Sequence, residues 1–135
     1  MKNIVLYYSF TGHSREFAEA FAKEHGYEAT EVTTPKKHGM AYAFIIGCPK
    51  SLSGGSVAIK PLALSLEDVD EVHVFAPVWA GCCAPAMNTA LKQLPKGTKV
   101  YMHMVSSGGE SNRSMIEGYL EHWGLNLAGF EDIKG

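Results

Sequence analysis

The sequence predicts an α/β protein built around a parallel β-sheet. Short runs of consecutive apolar residues, at 4–8 and 71–76, are typical of strands that are buried on both faces. Stretches with an apolar stripe at the helical period, at 17–22 and 115–123, alternate with these runs. Strands that alternate with helices of this length favour a parallel sheet. The 135 residues suit a single domain that spans 1–135.

The first half of the chain begins with the strand at 4–8, and a helix follows it. The apolar stripe of that helix consists of Phe17, Ala18, Phe21 and Ala22. Gly26 is well placed to end the helix. Residues 27–32 alternate weakly and predict an edge strand. The next stretch predicts a helix at 40–48 and an extended connection at 57–66.

The second half repeats the alternation of strands and helices. It is predicted to contain a strand at 71–76, a helix at 85–94, a strand at 99–105, a helix at 115–123 and a strand at 125–133. Pro85 suits a first helical turn, and 95–97 (Pro-Lys-Gly) is a stop signal. Ser111 is a plausible N-cap of the last helix, and Gly124 ends it.

Composition excludes several classes of function. The 12 basic and 14 acidic residues give a net charge of −2, so the chain has no basic field for nucleic acid or anionic lipid. Three cysteines are too few for a disulfide framework and favour a reducing compartment, the cytoplasm. The longest apolar run, 40–47, is far shorter than the ~20 residues that cross a membrane. The apolar start of the chain is also too short for a signal peptide.

The loop at 9–14 combines residues that suit a phosphate group. Its sequence, Ser-Phe-Thr-Gly-His-Ser, follows a strand and opens a helix, and it supplies three hydroxyls, a glycine and a helix N-terminus. It contains no lysine, which favours a monophosphate held by neutral donors over a nucleoside triphosphate. It matches neither the Walker A pattern nor the dinucleotide fingerprint. An ordinary capped turn is the alternative.

Two further loops follow strands at the same sheet edge, where such folds bind their ligands. Loop 77–84 carries Trp79, whose ring offers a stacking face for a flat aromatic ligand, although it could instead pack under the next helix. Loop 106–110 is rich in serine and glycine, so it supplies free backbone N–H groups, and its small side chains allow close approach of a planar ring. A flexible entry to the next helix is the alternative for this loop.

Together the three loops resemble those of the flavodoxin family, in particular its short flavodoxin-like members. The resemblance implies a three-layer sandwich whose five parallel strands have the order 2-1-3-4-5, and a non-covalently bound FMN. By position, it implies a cofactor-binding set of Ser9, Thr11, Gly12, His13, Ser14, Pro77, Val78, Trp79, Ala80, Gly81, Ser107, Gly108 and Gly109. Two departures stand out: His13 replaces the usual asparagine, and the third loop lacks the usual aromatic residue.

The resemblance implies an electron-transfer protein that serves redox partner proteins or a small acceptor. It favours a carrier over a stand-alone oxidoreductase, and it implies no catalytic residue in the chain itself. An NAD(P)H-dependent FMN reductase that acts on quinones is the alternative, and a flavin-free interaction module is a third possibility. The pair Cys82-Cys83 is interpreted as small loop residues. None of the six histidines shows close metal-ligand spacing, and we expect His73 and His103 to be half-buried at best.

The C-terminus departs from the flavodoxin plan. The last predicted strand ends near Ile133 and the sequence stops at Gly135, so the sequence predicts a fold without the C-terminal fifth helix. We expect the sheet face beneath that helix to expose apolar side chains of strands three to five. A homodimer, or a segment exchanged between chains, would cover that face. A chain cut before a native helix is the alternative.

Overall fold

The computed structural model describes residues 2–8, 13–33, 59, 69–79, 82–83, 85–106 and 113–134. In chain order its elements are β1 (Lys2–Tyr7), α1 (His13–His25), β2 (Glu28–Glu31), β3 (Val69–Trp79), β4 (Cys82–Cys83), α2 (Pro85–Leu91), β5 (Lys99–Ser106), α3 (Arg113–His122) and β6 (Asn126–Lys134). The predicted helix at 40–48, and all of the predicted connection at 57–66 except Ile59, lie outside the described residues.

Five of the strands form a parallel sheet in the order β2-β1-β3-β5-β6. Strand β4 is a two-residue strand that pairs antiparallel with β3, outside this path. Without β4 the order is 2-1-3-4-5, which confirms the predicted topology. One row of partners crosses the sheet, since Leu6 pairs with Val74, Val74 with Met102, and Met102 with Phe130. The register shifts at Lys2/Asn3 between β1 and β3, and at Val100/Tyr101 between β5 and β6.

Helices α2 and α3 cover one face of the sheet and form the larger core with it. Alternate residues of the central strands point into this core, as expected of side chains that change face at every residue. The strand residues in it include Ile4, Leu6, Val72, Val74, Val100, Met102 and Met104. Helix α2 contributes Met87 and Leu91, and helix α3 contributes Ile116 and Leu120, all essentially buried.

Helix α1 packs on the opposite face, which gives the predicted three-layer arrangement. Its small residues Ala18 and Ala22 are buried against Val5, Tyr7 and Phe75. Because alanine side chains are short, the helix can lie close to the strands. Its larger Phe side chains flank this contact and remain partly exposed.

The predicted helix ends are confirmed by left-handed glycines. Gly26 has φ 71° directly after α1, and the N–H of Tyr27 donates to the carbonyl of Ala22 at 2.9 Å. Gly124 has φ 81° after α3 and ends that helix in the same way.

Several predicted boundaries were wrong, most clearly the ends of α2 and β3. Helix α2 ends at Leu91, because the N–H of Leu94 donates to the carbonyl of Leu91 in a tight turn before Pro95, which cannot continue a helix. Strand β3 continues three residues beyond the predicted 71–76, to Trp79. Among the described helices, none is long and apolar enough to cross a membrane.

Candidate functional site at the strand carboxyl ends

The carboxyl ends of the strands form a stepped edge. Strand β1 ends level with Phe75 of β3, where the N–H of Tyr8 donates to the carbonyl of Phe75 at 3.1 Å. Strands β3 and β5 continue together beyond this point, with Pro77 paired to Val105. At ~3.3 Å per residue, two to three further residues raise a ledge of roughly 7–10 Å beside the end of β1. The ledge lies where the chain leaves β1 and enters α1.

Helix α1 begins at this edge, where the sequence places the phosphate loop. His13 is its first residue, and the side chain of Ser14 is almost fully buried, with 3 % of its surface exposed. The helix directs free N–H groups and the positive end of its dipole toward the loop. Ser9, Thr11 and Gly12 lie outside the described residues, so their contacts stay predictions.

Arg15, the charged residue nearest to this loop, is already paired. Its guanidinium makes two hydrogen bonds to the Glu31 carboxylate of β2, at 2.7 and 2.8 Å. The same guanidinium lies near Tyr7, yet burial, together with the charges of Glu31 and Glu19, raises the pKa of the Tyr7 phenol. The start of α1 therefore offers neutral hydroxyl and N–H donors, as the lysine-free loop predicts.

Trp79 lies in a strand of a hairpin, where the sequence predicted a loop at 77–84. Strands β3 and β4 pair antiparallel, with Val78 opposite Cys83 and Trp79 opposite Cys82. A two-residue connection that includes a glycine suits such a hairpin, and the pairing satisfies backbone groups that a loop would leave free. The connecting residues, Ala80 and Gly81, lie outside the described part of the chain.

For the third loop, the structure describes only the elements on either side of it. Strand β5 ends at Ser106, and helix α3 starts at Arg113. The predicted Ser107, Gly108 and Gly109 lie between them, outside the described residues. Of the predicted set, the structure thus places the backbones of His13, Ser14, Pro77, Val78 and Trp79 at one edge of the sheet.

Solved structures with the same architecture exist. A flavoprotein from Lactobacillus acidophilus NCFM, solved in complex with FMN, is 24% identical with a TM-score of 0.75, and the match covers 97% of this chain and 92% of that one. The chain has the flavodoxin-like fold. A putative flavoprotein from Bacteroides uniformis matches at 21% identity and TM-score 0.80, covering 99% and 90% of the two chains.

A third structure with a similar fold is that of a flavodoxin-like protein. The flavodoxin, WrbA-like protein from Agrobacterium tumefaciens matches at 12% identity and TM-score 0.57, covering 93% of this chain and 74% of that one. No known family model and no curated protein matches the sequence. The resemblance predicted from the three loops is thus confirmed at the level of the fold.

A hydrogen-bonded chain of three side chains lies on the α1 face of the flavodoxin-like sheet. His73 of β3 and His103 of β5 approach to 3.0 Å between Nδ1 and Nε2. The other ring nitrogen of His103, Nδ1, is hydrogen-bonded to the carboxylate of Glu131 in β6. The three residues therefore link three neighbouring strands through their side chains.

Aromatic rings pack against the two imidazoles of this hydrogen-bonded row. Phe75 stacks on His103 at 4.3 Å between centroids, and Tyr101 stacks on His73 at 4.5 Å. Phe21 of α1 contacts both imidazoles. Burial lowers the pKa of His73 from 6.5 to about 4, and the charges of His103 and His25 act in the same direction. Burial also lowers the pKa of His103, against the opposing effect of Glu131.

The sequence did not predict this hydrogen-bonded row of His73, His103 and Glu131. His103 is 8 % exposed, so the expectation that it would be half-buried at best was wrong, while His73 is half-buried as expected. Both histidines follow the same two-residue alternation on strands predicted to be neighbours, and that signal would have paired them. Glu131 could not be placed, because a register shift at Val100/Tyr101 sets its position.

The same residues change the expected character of this sheet face. It was predicted to expose apolar side chains, but over β5 and β6 it carries Tyr101, His103 and Glu131 as well as Ile133. The predicted homodimer contact stays a prediction. Within the described ranges, no group of three or more His, Cys, Asp or Glu side chains is arranged to hold a metal ion.

Proposed function

We propose that this chain binds FMN non-covalently at the carboxyl edge of the sheet and serves as an electron-transfer protein. The observation that carries the proposal is the stepped edge, where the end of β1, the start of α1 and the β3–β4 hairpin lie at the same edge of the sheet. The FMN complex of the Lactobacillus acidophilus flavoprotein, which shares this fold, supports it.

The start of α1 fits the phosphate of such a group. A phosphate dianion is favoured by N–H donors and by the positive end of a helix dipole. Ser14 is buried at this position, and Arg15 is held by Glu31. The proposed phosphate site therefore uses hydroxyl and backbone donors of 9–14 and needs no cationic side chain.

The hairpin fits the flat ring. Its two strands fix the backbone of Trp79 at the edge, and Ala80 and Gly81 connect them. In the proposal Trp79 stacks on the ring, and the Ala80 and Gly81 peptides approach its edge. Bound FMN would supply the redox chemistry, while the residues of the chain bind it, orient it and shield one side from water.

A carrier is the primary proposal, and a reductase that uses NAD(P)H is its competitor. A carrier leaves bound FMN oxidised when NADPH is added alone, and it exchanges electrons when a redox protein is present. Rapid bleaching of the flavin by NADPH alone, followed by quinone reduction, would favour the reductase. For either role we propose a cytoplasmic location. Three cysteines are too few for a disulfide framework and suit a reducing compartment.

Flavin binding is tested directly by its spectrum. Protein incubated with FMN and passed through a desalting column should retain a yellow flavin whose fluorescence is quenched. Trp79→Ala should weaken FMN binding by roughly 1 kcal/mol or more, about fivefold, if the ring stacks. Absence of bound flavin would refute the proposal, and unchanged affinity in Trp79→Ala would assign Trp79 to packing.

Trp123→Ala is the matched control for this experiment. Trp123 follows the carboxyl end of α3, stacks on Tyr119 and lies under the ammonium of Lys92 at 5.0 Å. Trp123 therefore lies at the opposite end of α3 from the strand carboxyl ends. The same loss of indole should leave FMN affinity unchanged there.

A further inference from the structure

The hydrogen-bonded chain on the α1 face has a fixed direction. Glu131 Oε2 is an acceptor, so the Nδ1–H of His103 must donate to it. A neutral imidazole carries one N–H, which leaves Nε2 of His103 as an acceptor. The partner nitrogen of His73, Nδ1, must then donate across the 3.0 Å contact. Both histidines are therefore in the Nδ1–H tautomer when they are neutral.

We propose that Glu131, His103 and His73 form a single-proton site, in which uptake of one proton at His73 moves a positive charge inward to His103. The site goes beyond the proposed flavin function and does not depend on it. Its ligand is the proton. The site consists of the two imidazoles and the side-chain carboxylate of Glu131.

The first proton is taken up without loss of a hydrogen bond. It adds to Nε2 of His73, the nitrogen that the chain does not use, and the Nδ1 proton of His73 shifts to Nε2 of His103. His103 then carries two N–H groups and the charge, donating to Glu131 and to His73, while His73 is neutral in the Nε2–H tautomer. One proton has entered, no covalent heavy-atom bond has changed, and the net charge has risen by one.

A second proton cannot be accommodated in the same way. It would leave an N–H on both nitrogens that face each other at 3.0 Å, so the hydrogen bond between the rings would be lost. Two like charges would also face each other in a half-buried site. The two histidines therefore titrate as a coupled pair, in two separate steps.

Several neighbouring groups set the field at the site. From α1 and the turn after it, His25 and Tyr27 lie near His73, and His25 disfavours a positive charge there. On the same face, Glu71 of β3 and Lys99 of β5 are register partners two residues before His73 and Tyr101, and their charges are opposite.

The groups on the other side of the site are apolar, apart from Glu131. Beyond His103 the face continues with Val105 and Ile133. Glu131 is the carboxylate bonded to the imidazole chain.

The Glu131 carboxylate favours a positive charge on His103 over one on His73. The charge of Glu131 and its hydrogen bond favour the charged form of His103 and offset part of the effect of burial. Burial is the main cause that lowers the pKa of His73 to about 4, and the charges of His103 and His25 act in the same direction. The hydrogen bond from His103 to Glu131 therefore favours His103 as the ring that carries the charge of the first proton.

Nitrogen-detected NMR of ¹⁵N-histidine-labelled protein tests the proposal. Near pH 8 both His73 and His103 should show the Nδ1–H tautomer, the less common form of a free imidazole. On acidification His103 should become doubly protonated while His73 changes to the Nε2–H tautomer, both with the same midpoint. Nε2–H tautomers at pH 8, or separate midpoints for these two changes, would overturn the proposal.

Glu131→Gln separates the carboxylate charge from its hydrogen bond. The amide oxygen can still accept from His103 Nδ1–H, so the tautomers near pH 8 should be unchanged. The midpoint of the first step should fall by about one pH unit, since an opposite charge nearby raises an imidazole pKa by about that much. Glu121→Gln, on the exposed face of α3, is the control that should leave both midpoints unchanged.

An equal titration of wild type and Glu131→Gln would contradict the assignment. Tight binding of Zn²⁺ that removes the contact between the rings would contradict it as well, because the nitrogens would then serve as ligands. Should Glu131→Gln fail to fold, the tautomers of the wild-type protein still decide the question.

Discussion

Gly129→Ala tests how β6 packs beneath the ring that covers His73. Gly129 pairs with Tyr101, one residue after a register shift between β5 and β6. A Cβ added at Gly129 would lie 2.7 Å from Cδ1 and 3.3 Å from Cε1 of Tyr101. The Tyr101 ring stacks on His73 at 4.5 Å and 13°. The added methyl group must therefore displace the ring and disturb this stack.

The magnitude follows from two opposing effects. Carbon atoms in contact prefer about 3.5–4.0 Å, so the ring must move by roughly 1 Å. Such overpacking costs about 1–3 kcal/mol, with the lower half expected because Tyr101 is only partly buried and can shift. Replacing a strand glycine by alanine returns about 0.5 kcal/mol. We expect a net loss of about 0.5–1.5 kcal/mol in the free energy of unfolding.

Gly118→Ala is the matched control with the opposite sign. Gly118 lies in α3, is exposed, and an added Cβ meets nothing within 4 Å. Alanine is favoured over glycine inside a helix by about 0.8–1.0 kcal/mol, so this variant should be more stable than the wild type.

Urea denaturation and thermal denaturation, both followed by far-UV circular dichroism, measure the free energy of unfolding and Tm of both variants. Gly129→Ala should lower Tm by about 2–6 °C, and Gly118→Ala should raise it by about 3–4 °C, for a domain of this size. Stability of Gly129→Ala equal to or above that of wild type would refute the packing assigned to Tyr101 and Gly129.

Three further outcomes are expected. His73 has a folded pKa of about 4 against 6.5 unfolded, so its contribution is present above pH 6.5 and is lost as pH falls toward 4; after allowance for the exposed part of the ring it amounts to about 1–2 kcal/mol, and His73→Gln should flatten the decline in urea melts. Leu120→Ala should cost about 2–5 kcal/mol because Leu120 is fully buried, whereas the exposed neighbour Glu121→Ala should change stability by less than about 0.5 kcal/mol. Sedimentation at micromolar concentration should show a homodimer if a second copy covers the face that carries Tyr101 and Ile133, and a strict monomer would contradict that prediction.

The layers of the fold were predictable because local patterns determine them. Consecutive apolar residues at 4–8 mark a strand that contributes to both cores, with Val5 facing α1 and Leu6 facing α2 and α3. Gly26 and Gly124 end helices because glycine readily adopts a positive φ. The local sequence is therefore enough to predict these helix ends. The strand order followed from the resemblance of three loops and not from the patterns themselves.

The remaining features depend on pairing between distant residues. The extension of β3 to Trp79 needs Cys82 and Cys83 as its partners, and the local sequence of 77–84 resembles a loop. The link from His73 through His103 to Glu131 depends on the register of three strands, including the shift at Val100/Tyr101. Of the candidate site, the sequence predicted the sheet edge and a helix after β1 correctly. Helix α1 begins at His13, inside the loop predicted at 9–14, and the hairpin that contains Trp79 was missed.

Comparison of FMN with riboflavin tests the central proposal most directly. Both carry the same ring, and only FMN carries the phosphate that the start of α1 is proposed to hold. In a fluorescence titration, FMN should bind at least about tenfold more tightly than riboflavin, because even one hydrogen bond to a charged group contributes about 1.5 kcal/mol. Equal affinities, or no quenching of either flavin, would contradict a phosphate site at this edge of the sheet.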